Sequence, residues 1–223
     1  MPVAPVSRLK KSEIIWLSKH FCKHRSPYLI HYQCYLNENP QKQRVGYFDI
    51  ETSNLRADFG ILLCYAIKEA GENKILSGCI TKKDLQSEGC LDKNLVKKCV
   101  DDLNKFDRII THYGTNFDLP FVRTRALFWN LEFPPYGRIY HHDTYYILRN
   151  RLCLSRNRLE SSCQHILGKT RKTHIDPRRW ILALQGDAAA LAYILDHCKR
   201  DVRDLEELYN RIYHFAASQD KSI

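Results

Sequence analysis

The 223-residue sequence contains no apolar run approaching the roughly 20 residues that a membrane-spanning helix needs, which excludes membrane insertion. Its nine glycines are scattered, and no G-x-x-x-x-G-K-[ST] phosphate loop is present, so a nucleotide-triphosphate motor is excluded. Internal repeats and low-complexity segments are lacking too, which removes the stacked-repeat architectures. The opening MPVAPVSRLKKSEIIWL has no apolar stretch leading to a small-residue cleavage site, so secretion is not expected and a cytoplasmic location is. Nine cysteines are an odd number in a chain too long for a disulfide scaffold, and most are expected to be reduced core residues.

What is present is a composition of 44% hydrophobic and 11% aromatic residues with 27% charged, enough for one sizeable core and unlike a disordered chain. Lys and Arg exceed Asp and Glu by 35 to 25, unevenly. Residues 1–44 hold eight basic and two acidic side chains, and residues 149–179 hold nine and two. Everything else is slightly acidic. Two basic segments flanking an acidic middle suit a protein that grips a polyanion at its edges, nucleic acid above all, although a solvated basic surface has the same signature.

Residues 7–24 have a rough helical stripe with Ser7 as cap, and VGYFDIE at 45–51 fits a buried strand. The runs 60–67 and 75–80 read as its neighbours in a meander, and further strands are predicted at 108–112 and 138–142. Helical spacing covers 91–105, 117–129 and 187–217. This order of elements predicts an α/β fold: a mixed five-stranded sheet flanked by helices.

In Asp49-Ile50-Glu51 the two-residue period of a strand puts both carboxylates on one face and Ile50 on the other. Like charges on a largely buried strand repel unless a cation lies between them, yet a solvated strand end would explain the triplet as well. Asp118, in Gly-Thr-Asn-Phe-Asp-Leu-Pro-Phe, follows the predicted strand 108–112 where α/β proteins place ligands, and it can equally cap a helix. His197 and Asp201 are four apart on the last helix and share a face with Tyr193. A surface pair is the alternative there. Asp196, Arg200 and Asp204 form another row, read as a solvated ion-pair face.

Taken together, FDIETS at 48–53, NFDLPF at 116–121 and HCKRDV at 197–202 resemble, in order, the motifs of the DnaQ-like or DEDD 3′-to-5′ exonuclease superfamily, over roughly residues 45–215. The similarity is greatest to proofreading domains of family B polymerases and to stand-alone exonucleases described as ribonuclease H-like. The resemblance implies an RNase H-like fold and four carboxylate ligands, Asp49, Glu51, Asp118 and Asp201, for two divalent cations. Hard oxygen ligands suit Mg²⁺ or Mn²⁺, and two such cations about 3.5–4 Å apart would serve both the attacking water and the departing oxygen. His197 is the candidate for accepting or positioning the water's proton. It departs from the family pattern, standing four residues before the last Asp, where relatives with histidine place it five before. Tyr113 is a second departure, since many polymerase-associated relatives have asparagine there.

Asn116, Phe117, Arg149 and Arg151 are candidate substrate contacts, the arginines with Arg156 and Arg158 as a track for phosphates, Phe48 and Phe117 as stacking or packing residues. Asp143 reads as a helix cap, and His141 and His142 as core or edge residues. Cys22, His24, His31 and Cys34 form C-x-H-x6-H-x2-C, the residue types of a structural zinc site, against ordinary packing with His20 and His24 on one helix face. The expected division is a basic appendage over 1–44, beside the active site and helping to hold the strand, an exonuclease domain over 45–217 and a tail over 218–223. The expected activity is 3′-to-5′ exonucleolytic hydrolysis of single-stranded nucleic acid, DNA favoured over RNA, to nucleoside monophosphates. The alternatives are a structure-specific RNase H-like endonuclease and a non-catalytic nucleic-acid-binding module.

Overall fold

The computed structural model describes residues 4, 6–87, 89–172, 176–216 and 221–222. Three largely apolar runs form an antiparallel meander, β1 (Val45–Thr52), β2 (Leu62–Glu69) and β3 (Ile75–Cys79). Two parallel strands extend it on the other side of β1, namely β4 (Arg108–Thr111) and β5 (Tyr140–Asp143). The two-residue β6 (Lys221–Ser222) pairs antiparallel with β5, giving the order β3-β2-β1-β4-β5-β6. The five predicted strands are all present, and β6 adds an edge that nothing in the sequence pattern marked. It falls in the expected tail, most of which lies outside the described residues.

The helices are α1 (Lys11–Lys19), α2 (Tyr32–Glu38), α3 (Lys82–Leu85), α4 (Lys93–Leu103), α5 (Asp118–Phe128), α6 (Thr144–Arg151), α7 (Leu159–Leu167), α8 (Pro177–Leu184) and α9 (Ala188–Ile212). On one face of the sheet α9 crosses β1 and β2, and Tyr47 meets its Tyr209 with ring centroids 6.0 Å apart. Alternation along β1 therefore turns Tyr47, Asp49 and Glu51 toward α9, while Phe48 and Ile50, 1% and 3% exposed, enter the core on the opposite face.

Three differences from the sequence reading have physical causes. The helix expected over 7–24 stops at Lys19, with a 3-10 turn at Val6–Arg8, because residues 20–31 fold back so that Tyr28 and Leu29 bond to the carbonyls of His20 and Leu17. The basic stretch after Asp143 holds α6, α7 and α8, each only eight or nine residues long and so too short for a periodic stripe to stand out. Asp204 is not on a solvated face. It is 2% exposed and accepts bonds from Thr170 Oγ1, Arg171 N and Arg171 Nη1 at 2.8, 2.7 and 2.7 Å, whereas Asp196 and Arg200 do form the exposed pair.

The basic appendage has its own cluster of Ala4, Leu17, Tyr32 and Leu36, and it does not lie beside the carboxylates. Arg8 reaches Asp107 at 2.6 Å and the Lys105 carbonyl at 2.5 Å, and Asp107 also accepts the Arg44 N–H at 2.9 Å. These contacts sit where β1 and β4 begin. Glu51 is near the other end of β1, about 20 Å along the strand. The cysteines conform to the reduced reading: all nine are free, five of them buried.

Candidate metal centre

The β4–α5 connection is built to deliver Asp118. After β4 the chain takes a left-handed conformation at Tyr113, φ 70°, and Gly114 then lies so close to Thr111 that a Cβ would stand 2.4 Å from its Oγ1. Asp143, the N-cap of α6 as expected, ties this turn down by accepting the N–H groups of Tyr113, Thr115 and Tyr145 at 2.7, 2.9 and 3.0 Å. Asp118 then opens α5, 4% exposed, and its Oδ1 accepts the N–H of Ile50 at 3.1 Å.

On the same side of β1, α9 brings in Asp201, 4% exposed. Cys198, one turn earlier, donates its thiol to the Asp49 carbonyl at 3.3 Å, which fixes the helix against the strand. Asp49 and Glu51 are partly buried. Burial, then the neighbouring carboxylates, pushes Asp49 up to about 7 and Glu51 and Asp118 well above the usual carboxylate range. Among the perturbing charges are Asp201 on Asp49, Asp49 and Asp201 on Glu51, and Asp49 on Asp118, so the four predicted ligands do converge. Asp49 Oδ2 and Asp201 Oδ1 are buried without a hydrogen-bond partner among the described residues. An acidic cluster whose ionised form is this disfavoured, with oxygens left over, has the donor set of a hard divalent cation site.

One residue in the cluster was missed by sequence reasoning. Lys172, from the loop before α8, places Nζ 2.7 Å from Asp201 Oδ2 and lowers the pKa of Asp49 and Glu51. Its position in a basic run gave no sign that it would turn inward. His197, 2% exposed, packs edge-on to Trp180 with centroids 6.4 Å apart, and burial lowers its pKa. His112 is a second unforeseen neighbour, held by Thr144 Oγ1 at 2.9 Å and the Asn157 carbonyl at 2.8 Å, and burial lowers its pKa to about 4.

A cleft of about 530 Å³ opens over Asp49, Lys172 and Asp201, walled by His112, Tyr113, Tyr145 and Arg158. A second hollow of about 220 Å³ lies between the β1–β2 loop at Leu55–Asp58 and the start of α5, and Asn116 and Phe117 line it. Arg151 borders a third hollow, of about 140 Å³, with Thr115 and Tyr146. Arg149 is exposed on α6 and borders none of these three. Phe117 also contacts Phe121 in the core, centroids 5.8 Å apart, and His141 and His142 bond to Thr111 and Tyr209 as packed residues. Of the two basic segments, the second borders the cleft.

The scaffold behind Asp118 is held by a buried ion pair. Asp92, 0% exposed, accepts Arg125 Nη2 at 2.5 Å and Nε at 2.9 Å, Trp129 Nε1 at 2.8 Å and Leu62 N at 2.8 Å, which joins α5 to the start of β2.

Compared with known proteins, residues 46–213 match the model of the RNase H superfamily. Among solved structures the chain is similar to the family B DNA polymerase from the hyperthermophilic archaeon Pyrobaculum calidifontis, with a TM-score of 0.62 and 18% identity. That match covers 77% of this chain and 24% of the polymerase, so this chain spans about a quarter of its length. No curated protein matches.

Proposed function

The chain belongs to the RNase H superfamily, and from that premise we propose that it is a metal-dependent 3′-to-5′ exonuclease acting on single-stranded nucleic acid, DNA in preference to RNA. The observation that carries this is the meeting of Asp49, Glu51, Asp118 and Asp201, of which Asp49 and Asp201 line the cleft, with one oxygen of each of these two buried and without a partner among the described residues. A binding module would gain nothing from uncompensated negative charge at the place where a polyanion must approach. Likeness to a DNA polymerase makes DNA the first substrate to test.

The four carboxylates would hold two Mg²⁺ or Mn²⁺ ions, which supply an acidified water and a counter-charge for the leaving oxygen. The remaining work falls to this chain. Its loop anchored by Asp143 holds Asp118 in place, and the Cys198 bond to β1 holds the α9 carboxylate over the strand. Lys172 offers an ammonium to the phosphate at the cleft floor, and Arg158 extends the positive wall. The hollow beside Asn116 and Phe117 accommodates the terminal base, with Phe117 as its apolar side. His197, 2% exposed and packed on Trp180, does not line the cleft and acts as a positioning residue one turn before Asp201 on α9.

The deciding experiment is digestion of 5′-labelled single-stranded DNA with Mn²⁺, run beside a duplex, an RNA and a strand with a blocked 3′ end. Stepwise shortening that the blocked end prevents supports the proposal. Internal cuts in the blocked strand would make the protein an endonuclease, and binding without cleavage would make it a binding module.

A further inference from the structure

The N-terminal fold contains a second constellation remote from the carboxylates. The thiol of Cys22 lies 3.7 Å from His24 Nδ1 and 3.2 Å from His31 Nδ1, and that of Cys34 lies 3.3 Å and 3.7 Å from the same two nitrogens. All four ligand atoms fall within 4.8 Å of one another. A tetrahedral Zn²⁺ with Zn–S of about 2.3 Å and Zn–N of about 2.0–2.1 Å sets each sulfur–nitrogen separation near 3.5 Å, the middle of the four observed values.

Hydrogen bonding alone does not account for this arrangement. Each Nδ1 carries either one proton or one lone pair, and each thiol one proton, so no protonation pattern makes all four sulfur–nitrogen contacts good bonds at once. One cation at the centre satisfies all four donors. The backbone is arranged to present them: Arg25 N bonds to the Cys22 carbonyl at 2.8 Å and Cys22 N to the Ser26 carbonyl at 3.0 Å. Arg25 adopts φ 60°, a left-handed conformation in a non-glycine residue. From the other side, His31 caps α2 and Cys34 N bonds to its carbonyl at 3.0 Å, which turns both side chains to the same point. Cys22 and His31 are buried, 5% and 7% exposed.

The surrounding core is too small to hold these groups by itself. It consists of Ala4, Leu17, Tyr32 and Leu36, with Leu9, Tyr28, Leu29 and Tyr35 partly buried around them. Segments of about 40 residues ordinarily need a metal or disulfides to supply what such a core lacks. The appendage has no disulfide, and its docking on the β1–β4 end uses Arg8 and Arg44, both outside the turn.

We infer that Cys22, His24, His31 and Cys34 bind one structural Zn²⁺ that folds the N-terminal appendage, separately from the carboxylate centre. The inference stands whether or not the carboxylates cleave nucleic acid. The test uses the purified full chain, with zinc measured by elemental analysis after dialysis. One zinc per chain is expected in the wild type and in Asp49→Asn, and less than about a tenth of that in Cys34→Ser. Replacement by Co²⁺ is expected to give the visible bands of a tetrahedral thiolate site, and chelation to open Lys23 and Arg25 to trypsin while residues beyond 44 stay resistant. Sub-stoichiometric zinc in the wild type, full zinc in Cys34→Ser, or an octahedral Co²⁺ spectrum each overturns the assignment, the last without any variant having to fold.

Discussion

Asp118 accepts the backbone N–H of Ile50, the residue that separates Asp49 from Glu51, at 3.1 Å. The third carboxylate is thus hydrogen-bonded to the strand that carries the first two, although 68 positions separate them in sequence. One Asp118 oxygen is spent on holding the site together, which leaves the other for a cation.

Replacing Asp118 by Asn separates these two duties. The amide oxygen can still accept from Ile50, so the fold is retained and Tm moves by no more than a few degrees. The negative charge is gone, and with several kcal/mol of transition-state stabilisation lost the rate is expected to fall by about 10³-fold or more. Mononucleotide release from single-stranded DNA with Mn²⁺, beside a thermal melt, reads both. Wild-type rates in a folded Asp118→Asn protein would remove Asp118 from the ligand set.

Without metal, Asp49 titrates near 7 instead of about 3.9, the value of an unfolded chain. A raised carboxylate pKa costs stability that grows as pH rises above the unfolded value and is complete above the folded one. Because the lowered pKa of His112 acts in the opposite direction over the same range, the contribution of Asp49 is read against a variant that lacks it and not from the wild type alone. Asp49→Asn removes that contribution: it melts above the wild type at pH 8, and the difference narrows toward pH 5. Mn²⁺ at pH 8 closes the gap from the wild-type side only. A difference in melting temperature between Asp49→Asn and the wild type that stays the same from pH 8 to pH 5 contradicts the raised pKa of Asp49.

The sheet was legible in the sequence because strands and helices obey short periods, and the four carboxylates because the motifs at 48–53, 116–121 and 197–202 resemble those of the exonuclease superfamily in order. Alternation along β1 placed Asp49 and Glu51 on one face, and the i,i+4 rule placed His197 and Asp201 on one face of α9. Lys172 was illegible for a corresponding reason. It stands in a loop, where no period says which way a side chain turns, and only the folded position of Asp201 brings a carboxylate 2.7 Å from it. Asp92 and Arg125 were hidden in the same way, being parts of two helix-associated segments with nothing local to pair them. The appendage was misplaced because charge composition says that a segment is basic and not which end of the sheet it docks on. Arg8 and Asp107 settle that with a single long-range contact.

Arg125 bears on the site through support of α5. Truncation to Ala would leave the fully buried Asp92 with an uncompensated charge, and breaking such a pair from one side costs about 3–5 kcal/mol. A Tm decrease of roughly 6–20 °C is expected. The double replacement Asp92→Asn with Arg125→Met, which removes the charge on both sides, is expected to recover a substantial part of it. A single variant that melts within about 2 °C of the wild type would show that the pair is not the lock between α5 and β2.

Lys172 occupies the position of a cation among carboxylates that are otherwise short of one, and that makes it a competitor as well as a contributor. Its Nζ bonds to Asp201 Oδ2, so a divalent ion entering there must displace or share that contact. Lys172→Met deletes the competing charge while keeping the length of the side chain, and Mn²⁺ affinity is expected to rise about 3- to 10-fold, the equivalent of roughly 1 kcal/mol for a part-exposed ion pair. Turnover is expected to move the other way, falling about 10- to 100-fold, since the phosphate loses its charge-assisted donor at the cleft floor. Opposite signs in a Mn²⁺ titration and a saturating-metal rate are the signature of a group that serves the anion and not the ion. If both fall together, Lys172 instead shapes the ligand cluster, and its ammonium has no part in holding the phosphate.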